Sequence, residues 1–248
     1  MEMMGENMNE YELKILEELE VWKRKITKRS SLFNRISKKA QTKINEKIPE
    51  KVHQIITDSL KNLVKATLVG SDFITKKGQS NGLTIEKKDE QLRIKLESFR
   101  KAAMIEGAGT GAGGILLGLA DFPLLLSIKM KFLFEAATVY GYDTTKYEER
   151  LFLLHVFQLA FSSDETRKET LKKIENWEEE RDRLTDIDWR EFQQEYRDYI
   201  DLVKMLQLVP GIGLVVGAYA NYHLLDQLGE TAMNAYRIRL LKEPRPMY

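Results

Sequence analysis

The chain of 248 residues contains no cysteine, so neither a disulfide framework nor a thiolate metal site can contribute to its fold, and a reducing cytoplasm suits it. Proline is scarce, at five residues, and alternating β-branched runs are few; both point away from sheets and toward an all-α protein. Net charge is almost absent at +1 although 31% of residues are charged, so the whole chain is neither an acidic nor a basic polyelectrolyte. The opening MEMMGENMNEYELK lacks a basic region followed by an apolar core, and no secretory signal is expected. What remains is a helix-forming chain with 43% hydrophobic residues, enough for a substantial core.

The stretch from Ala102 to Asp143 organises the rest. Glycine stands at 107, 109, 111, 113, 114 and 118. In a helix, Gly107, Gly111, Gly114 and Gly118 fall four, three and four residues apart and share one face. Each costs about 1 kcal/mol against alanine, a loss that close helix–helix approach through G-x-x-x-G pairs can offset. Gly109, Gly111 and Gly114 also match G-x-G-x-x-G, but the lead-in LRIKLESFRKAAMIE is helix-periodic where a dinucleotide turn needs a strand. No G-K-[ST] follows, which disfavours a phosphate loop.

Before this stretch, residues 9–28 read as a helix with Leu13, Leu16, Leu19 and Ile26 as its apolar side. Residues 21–61 then carry twelve Lys and Arg against three acids. Phe33, Ile36, Ala40, Ile44 and Ile48 recur at helical spacing among Lys38, Lys39, Lys43 and Lys47, a basic amphipathic helix suited to anionic headgroups. A solvated face is the plain alternative; nucleic acid is disfavoured because no recognition motif accompanies the charge. A helix from Pro49 faces Val52, Ile55, Ile56, Leu60, Leu63, Val64 and Leu68 inward, a loop occupies 76–84, and Thr84 caps the helix leading to the glycines.

Asp121 in ADFP is an acid amid apolar sequence and reads as the cap of the helix that Phe122 and Pro123 begin; that helix ends at Gly141, with Asp143 or Thr144 available to cap the next. The following helix, 145–161, carries His155 among Leu151, Leu154 and Leu159, with Glu148 on the same face. One His and one Glu are too few for a metal site, and a hydrogen-bonded core histidine is the simpler reading. Ser162 and Glu165 are spaced as a capping box opening a charge-dense, net-acidic helical pair to about residue 201, anchored by Trp177, Leu184, Trp189 and Tyr196. Last, residues 205–225 contain no Asp, Glu, Lys or Arg, and Gly213, Gly217 and Asn221 line one face. Pro210, Gln207 and Asn221 make this a poor spanning helix, and the uncharged run from 107 to 120 is only ~21 Å long as helix, short of a ~30 Å bilayer core.

The run GAGTGAGGILLGLADFPLLL, then YGYD at 140–143, YEERLFLLHVF at 147–157 and the C-terminal PGIGLVVGAYANYHLLDQLGETAMNAYRIR, resembles the EcsC protein family. The resemblance spans roughly residues 45–242 and rests on the order and combination of these segments. It implies a helical, membrane-associated bacterial protein with an accessory role near an ABC transporter or another membrane process. It supplies no catalytic residues: Gly111, Asp121 and Asn221 are matched as pattern positions only.

The expected architecture is a multi-helix bundle with two glycine-rich helices packed in its centre, preceded by a basic extension at 1–44 and followed by a tail at 243–248. The expected function is that of a non-enzymatic accessory or interaction protein, cytoplasmic and peripheral to the membrane rather than integral, with an anionic membrane surface or a membrane protein as partner. A helical carrier for a lipid or other hydrophobic small molecule is the alternative. An enzyme using Asp121, Glu148 and His155 ranks third, and no cofactor or metal is expected.

Overall fold

The computed structural model describes residues 8–28, 50–70, 82–109, 122–162, 164–185 and 217–243. Among them are eight helices and no strand element, so the all-α expectation holds. They are α1 (Glu10–Thr27), α2 (Glu50–Val69), α3 (Ile85–Gly109), α4 (Phe122–Tyr140), α5 (Tyr147–Phe161), α6 (Asp164–Glu175), α7 (Trp177–Thr185) and α8 (Gly217–Lys242).

The middle of the bundle is α5. From Leu151 to Phe161 each residue is buried, the pattern of a helix covered on all sides. Helices α2, α4, α6, α7 and α8 pack on it. Around it, α3 and α8 form the broadest helix pair and run antiparallel, since Asp89 meets Arg237, Leu96 meets Gly229 and Arg100 meets Asp226. Helix α4 is likewise antiparallel to α3, with Tyr140 on Asp89 and Phe99 edge-on to Phe132 at 5.6 Å. The C-terminal end of α3 and the N-terminal ends of α4 and α8 therefore lie at one end of the bundle.

Local chemistry sets the helix ends. Asn9 and Glu12 form a reciprocal capping box on α1. Thr84 accepts from the Lys87 amide at 3.4 Å, capping α3 as its sequence suggests. At the end of α4, Gly141 adopts φ +96°, its amide reaches the Thr138 carbonyl, and the Tyr142 amide reaches Ala137, a Schellman closure that only glycine enters without strain. Asp143 accepts from the Thr145 amide and hydroxyl instead of capping α5, whose N-cap is Lys146. Ser162 ends α5 rather than opening α6; Ser163 and the Glu165 side chain lie outside the described residues.

The inward face of α1 differs from the expected one. Ile15, Leu19 and Trp22 are buried, whereas Leu13 is 49% and Leu16 37% exposed. Apolar residues occupy two sides of this helix, and the side carrying the tryptophan has the larger area to remove from water. In α2 the expected Ile56, Leu60, Leu63, Val64 and Leu68 are buried, as are the anchors Trp177 and Leu184 further on.

Candidate functional site

Capping of α3 places Asp89 one turn into the helix, where it is completely buried. Its Oδ1 accepts from the Tyr140 hydroxyl at 2.5 Å; its Oδ2 accepts from the Tyr11 hydroxyl and Arg237 Nε, both at 2.8 Å. Arg237 Nη1 continues to Glu18 at 2.9 Å and Asn234 at 3.2 Å. One carboxylate thus joins α1, α3, α4 and α8. Burial raises the Tyr140 pKa well above its ordinary value, and the Asp89 charge and hydrogen bond add to it, so the phenol stays a donor. Burial alone would lower Arg237, but its bond to Asp89 outweighs that and keeps it charged.

A second buried pair lies beside the first. Arg239 holds Glu149 through two hydrogen bonds of 2.7 and 2.8 Å and reaches Glu178 at 3.1 Å. Its guanidinium sits 3.9 Å over the Tyr142 ring and 4.5 Å over Phe152. Tyr236 stacks between Tyr140 at 5.0 Å and Tyr142 at 5.1 Å and connects the two ion pairs. These carboxylates are occupied by fixed cations and hydroxyls, which suits a latch between helices better than proton transfer.

His155 is the core histidine that its setting suggests. It is 1% exposed, its Nδ1–H donates to the Leu151 carbonyl at 3.1 Å, and its ring meets Trp177 edge-on. Burial, then the charge of Lys173, pushes its pKa down to about 3, so it is neutral at physiological pH. The buried carboxylate of this helix is Glu149; Glu148 is partly exposed. Among the described residues no group of three or more His, Asp or Glu could hold a metal.

Between α1, α3 and α8 runs a groove of about 920 Å³ with Trp22, Leu96, Leu159 and Met233 in its floor. Its rim sets Lys25, Arg93, Arg100 and Arg167 against Glu97, Asp226 and Glu230. Lys25 pairs with Glu230 at 3.2 Å, and Arg100 pairs with Glu97 and Asp226. Arg167 donates instead to the Ile26 and Ser162 carbonyls, so the rim cations are largely engaged within the fold.

The unusual titratable group is Lys129. It is fully buried in α4, and its Nζ has no hydrogen-bond partner among the described residues. Leu125, Leu126, Phe132 and Leu133 flank it on the same helix face, each at most 1% exposed. Desolvation pushes its amine down to about 7.

Of the residues singled out in the sequence, Pro123 stands in the first turn of α4 and is exposed. Gly107 belongs to the last turn of α3, Gly217 opens α8, and Asn221 follows one turn on. Gly111, Gly114, Gly118, Asp121, Gly213, Lys38, Lys39, Lys43, Lys47, Trp189 and Tyr196 lie outside the described residues. The residues before Gly109 are helix, so that run lacks the strand of a dinucleotide turn. Lys129 was detectable in sequence as a lysine with Leu125, Leu126, Phe132 and Leu133 at helical spacing. Asp89 was not, standing among Lys87, Lys88 and Glu90.

The model of the EcsC protein family matches residues 13–241. Protein EcsC of Bacillus subtilis (strain 168) is 53% identical over 236 residues, covering 95% of this chain and 98% of that protein. Uncharacterized protein YdbA of the same organism is 28% identical over 251 residues, covering 92% of each. No solved structure matches.

Proposed function

The chain belongs to the EcsC protein family, and from that premise we propose that it is a non-enzymatic accessory protein that docks on an anionic membrane surface without crossing it. The observation that carries this reading is the antiparallel register of α3 and α8, fixed by Asp89–Arg237 and Arg100–Asp226. It brings the exit of α3 at Gly109 and the entry of α8 at Gly217 to the same end of the bundle. Gly109 and Gly217 lie within the two uncharged glycine-rich runs at 107–120 and 205–225, and α4 also begins at that end, with Leu124 45% exposed.

Two further facts support peripheral contact. No helix among the described residues is long and apolar enough to cross a membrane. The excess of twelve basic residues over three acids at 21–61 supplies an attraction that the neutral whole does not, with Lys38, Lys39, Lys43 and Lys47 as its centre. A membrane protein, such as an ABC transporter, is the second partner class in this proposal, following from the family resemblance.

Flotation with anionic and with neutral liposomes, at low and high salt, tests the reading. Binding to anionic liposomes alone, lost at high salt, is the expected result. Salt-resistant flotation with both kinds would mean insertion of the glycine-rich segments, and flotation with neither would remove the membrane from the account.

A further inference from the structure

The lysines and arginines that line the space between α1, α3 and α8 are engaged within the fold, with one exception. Lys14 pairs with Glu18, Lys25 with Glu230, Arg100 with Glu97 and Asp226, and Arg237 with Asp89 and Glu18. Arg167 donates to two backbone carbonyls. Arg93 is exposed and pairs with no carboxylate among the described residues; its polar neighbour is the Tyr11 hydroxyl. The acids one turn before and after it on α3, Asp89 and Glu97, are held by Arg237 and Arg100.

Arg93 stands where two hollows meet. Helix α1 runs antiparallel to α8, since Glu18 meets Arg237 and Lys25 meets Glu230, and its start is tied to the start of α3 through Tyr11 and Asp89. Helices α1 and α3 therefore run the same way, and α8 lines the crevice between them. The groove of about 920 Å³ and a neighbouring hollow of about 600 Å³ share Trp22, Lys25, Arg93, Glu230 and Met233. Together they follow α1 from Lys14 to Ile26, about 18 Å of helix. Apolar side chains recur along that length: Val21, Trp22 and Ile26 from α1, Leu96 from α3 and Met233 from α8.

We propose that this crevice binds a single-chain amphiphile bearing one carboxylate, with its headgroup on the Arg93 guanidinium and its chain along Trp22, Leu96 and Met233. The guanidinium fork matches the two oxygens of a carboxylate. A phosphate monoester, with up to two charges, would need a second unpaired cation, and the described rim supplies none. An elongated crevice with apolar walls and one unanswered cation suits a chain charged at one end only. The proposal stands independently of docking at a membrane.

The test uses the full chain and a terminally brominated undecanoate, with the matching brominated alcohol as uncharged control, both below their micelle concentrations. Bromine quenches indole fluorescence on contact, and Trp22 lines the crevice. Saturable quenching of wild type is expected, as is its loss in Trp22→Phe, which keeps Trp177 and Trp189. Arg93→Gln should weaken the carboxylate about tenfold, while the alcohol binds wild type and variant alike. Absence of saturable quenching in wild type, quenching that persists in Trp22→Phe, or equal carboxylate affinity in wild type and Arg93→Gln each overturns the proposal. Should Trp22→Phe fail to fold, the Arg93→Gln comparison decides, because an exposed side chain can be changed without loss of the fold. No liposome enters this assay, so its outcome and that of flotation are independent.

Discussion

Asp89 Oδ2 and Arg237 Nη2 lie 2.7 Å apart in the interior, joining helices whose sequence positions are separated by 148 residues. The contact fixes the register of α3 against α8 and, through Tyr11 and Tyr140, ties α1 and α4 to the same carboxylate. A buried ion pair is a poor source of net stability, because desolvating both charges offsets most of their attraction. Its value here is specificity: a shifted register would strand a charge in the core.

Breaking the latch on one side should therefore cost far more than removing it whole. Asp89→Ala removes the buried acceptor of two phenols and of Arg237 Nε, leaving Arg237 with Glu18 and Asn234 alone, and is expected to destabilise by about 3–5 kcal/mol. The double variant Asp89→Leu with Arg237→Met should recover much of that loss. Urea unfolding of the single and double variants measures the difference; additive losses would show that the two residues are not coupled.

Gly229 on α8 lies so close to α3 that a Cβ there would stand 2.5 Å from Leu96 Cδ2. Leu96 is only 7% exposed and has little room to swing away. Overpacking of about 1–3 kcal/mol should outweigh the ~1 kcal/mol gained in helix propensity, so Gly229→Ala is expected to lower stability. In a Leu96→Ala background the same change should be neutral or stabilising, as thermal unfolding of the four proteins would show.

The buried histidine makes an acid-limb prediction. His155 is neutral in the fold down to about pH 3, whereas the unfolded chain protonates it near its ordinary 6.5. Between those values the unfolded state binds more protons, so stability from this group falls as pH drops from 6.5 toward 3. His155→Phe should show a shallower decline across that window. An identical slope in the variant would mean that the histidine is protonated in the native protein.

Lys129 gives the complementary alkaline prediction. Its amine titrates at about 7 in the fold against 10.5 when exposed, so the unfolded chain again holds more protons between those values. Stability of the ligand-free protein should rise with pH from about 7 toward 10.5, with no further change from this group below its folded value. Lys129→Met should remove that component and be more stable than wild type at neutral pH. A variant less stable than wild type at pH 7 would reveal a counter-charge beside the amine.

Helix existence was legible because the signals are local. Thr84, Gly141 and the apolar spacing in α2 each act within a turn or two of chain. The chosen face of α1 was not, because Leu13 and Leu16 match the helical period as well as Ile15 and Trp22 do. Only the opposing helices decide which side is covered. The Asp89–Arg237 and Glu149–Arg239 pairs escaped the sequence reading for a related reason. Each partner sits among several residues of like character, and pairing across 148 or 90 positions leaves no trace in spacing. Lys129 differs from these, since a lone lysine between leucines at helical spacing is a conflict visible in the amino-acid pattern itself.

The membrane reading can be tested most directly by reversing the charge that it invokes. Flotation of the Lys38→Glu, Lys39→Glu, Lys43→Glu, Lys47→Glu variant with anionic liposomes should fall to the level seen with neutral ones, while far-ultraviolet dichroism stays that of the wild type. Undiminished flotation of the folded variant would contradict electrostatic docking through this segment.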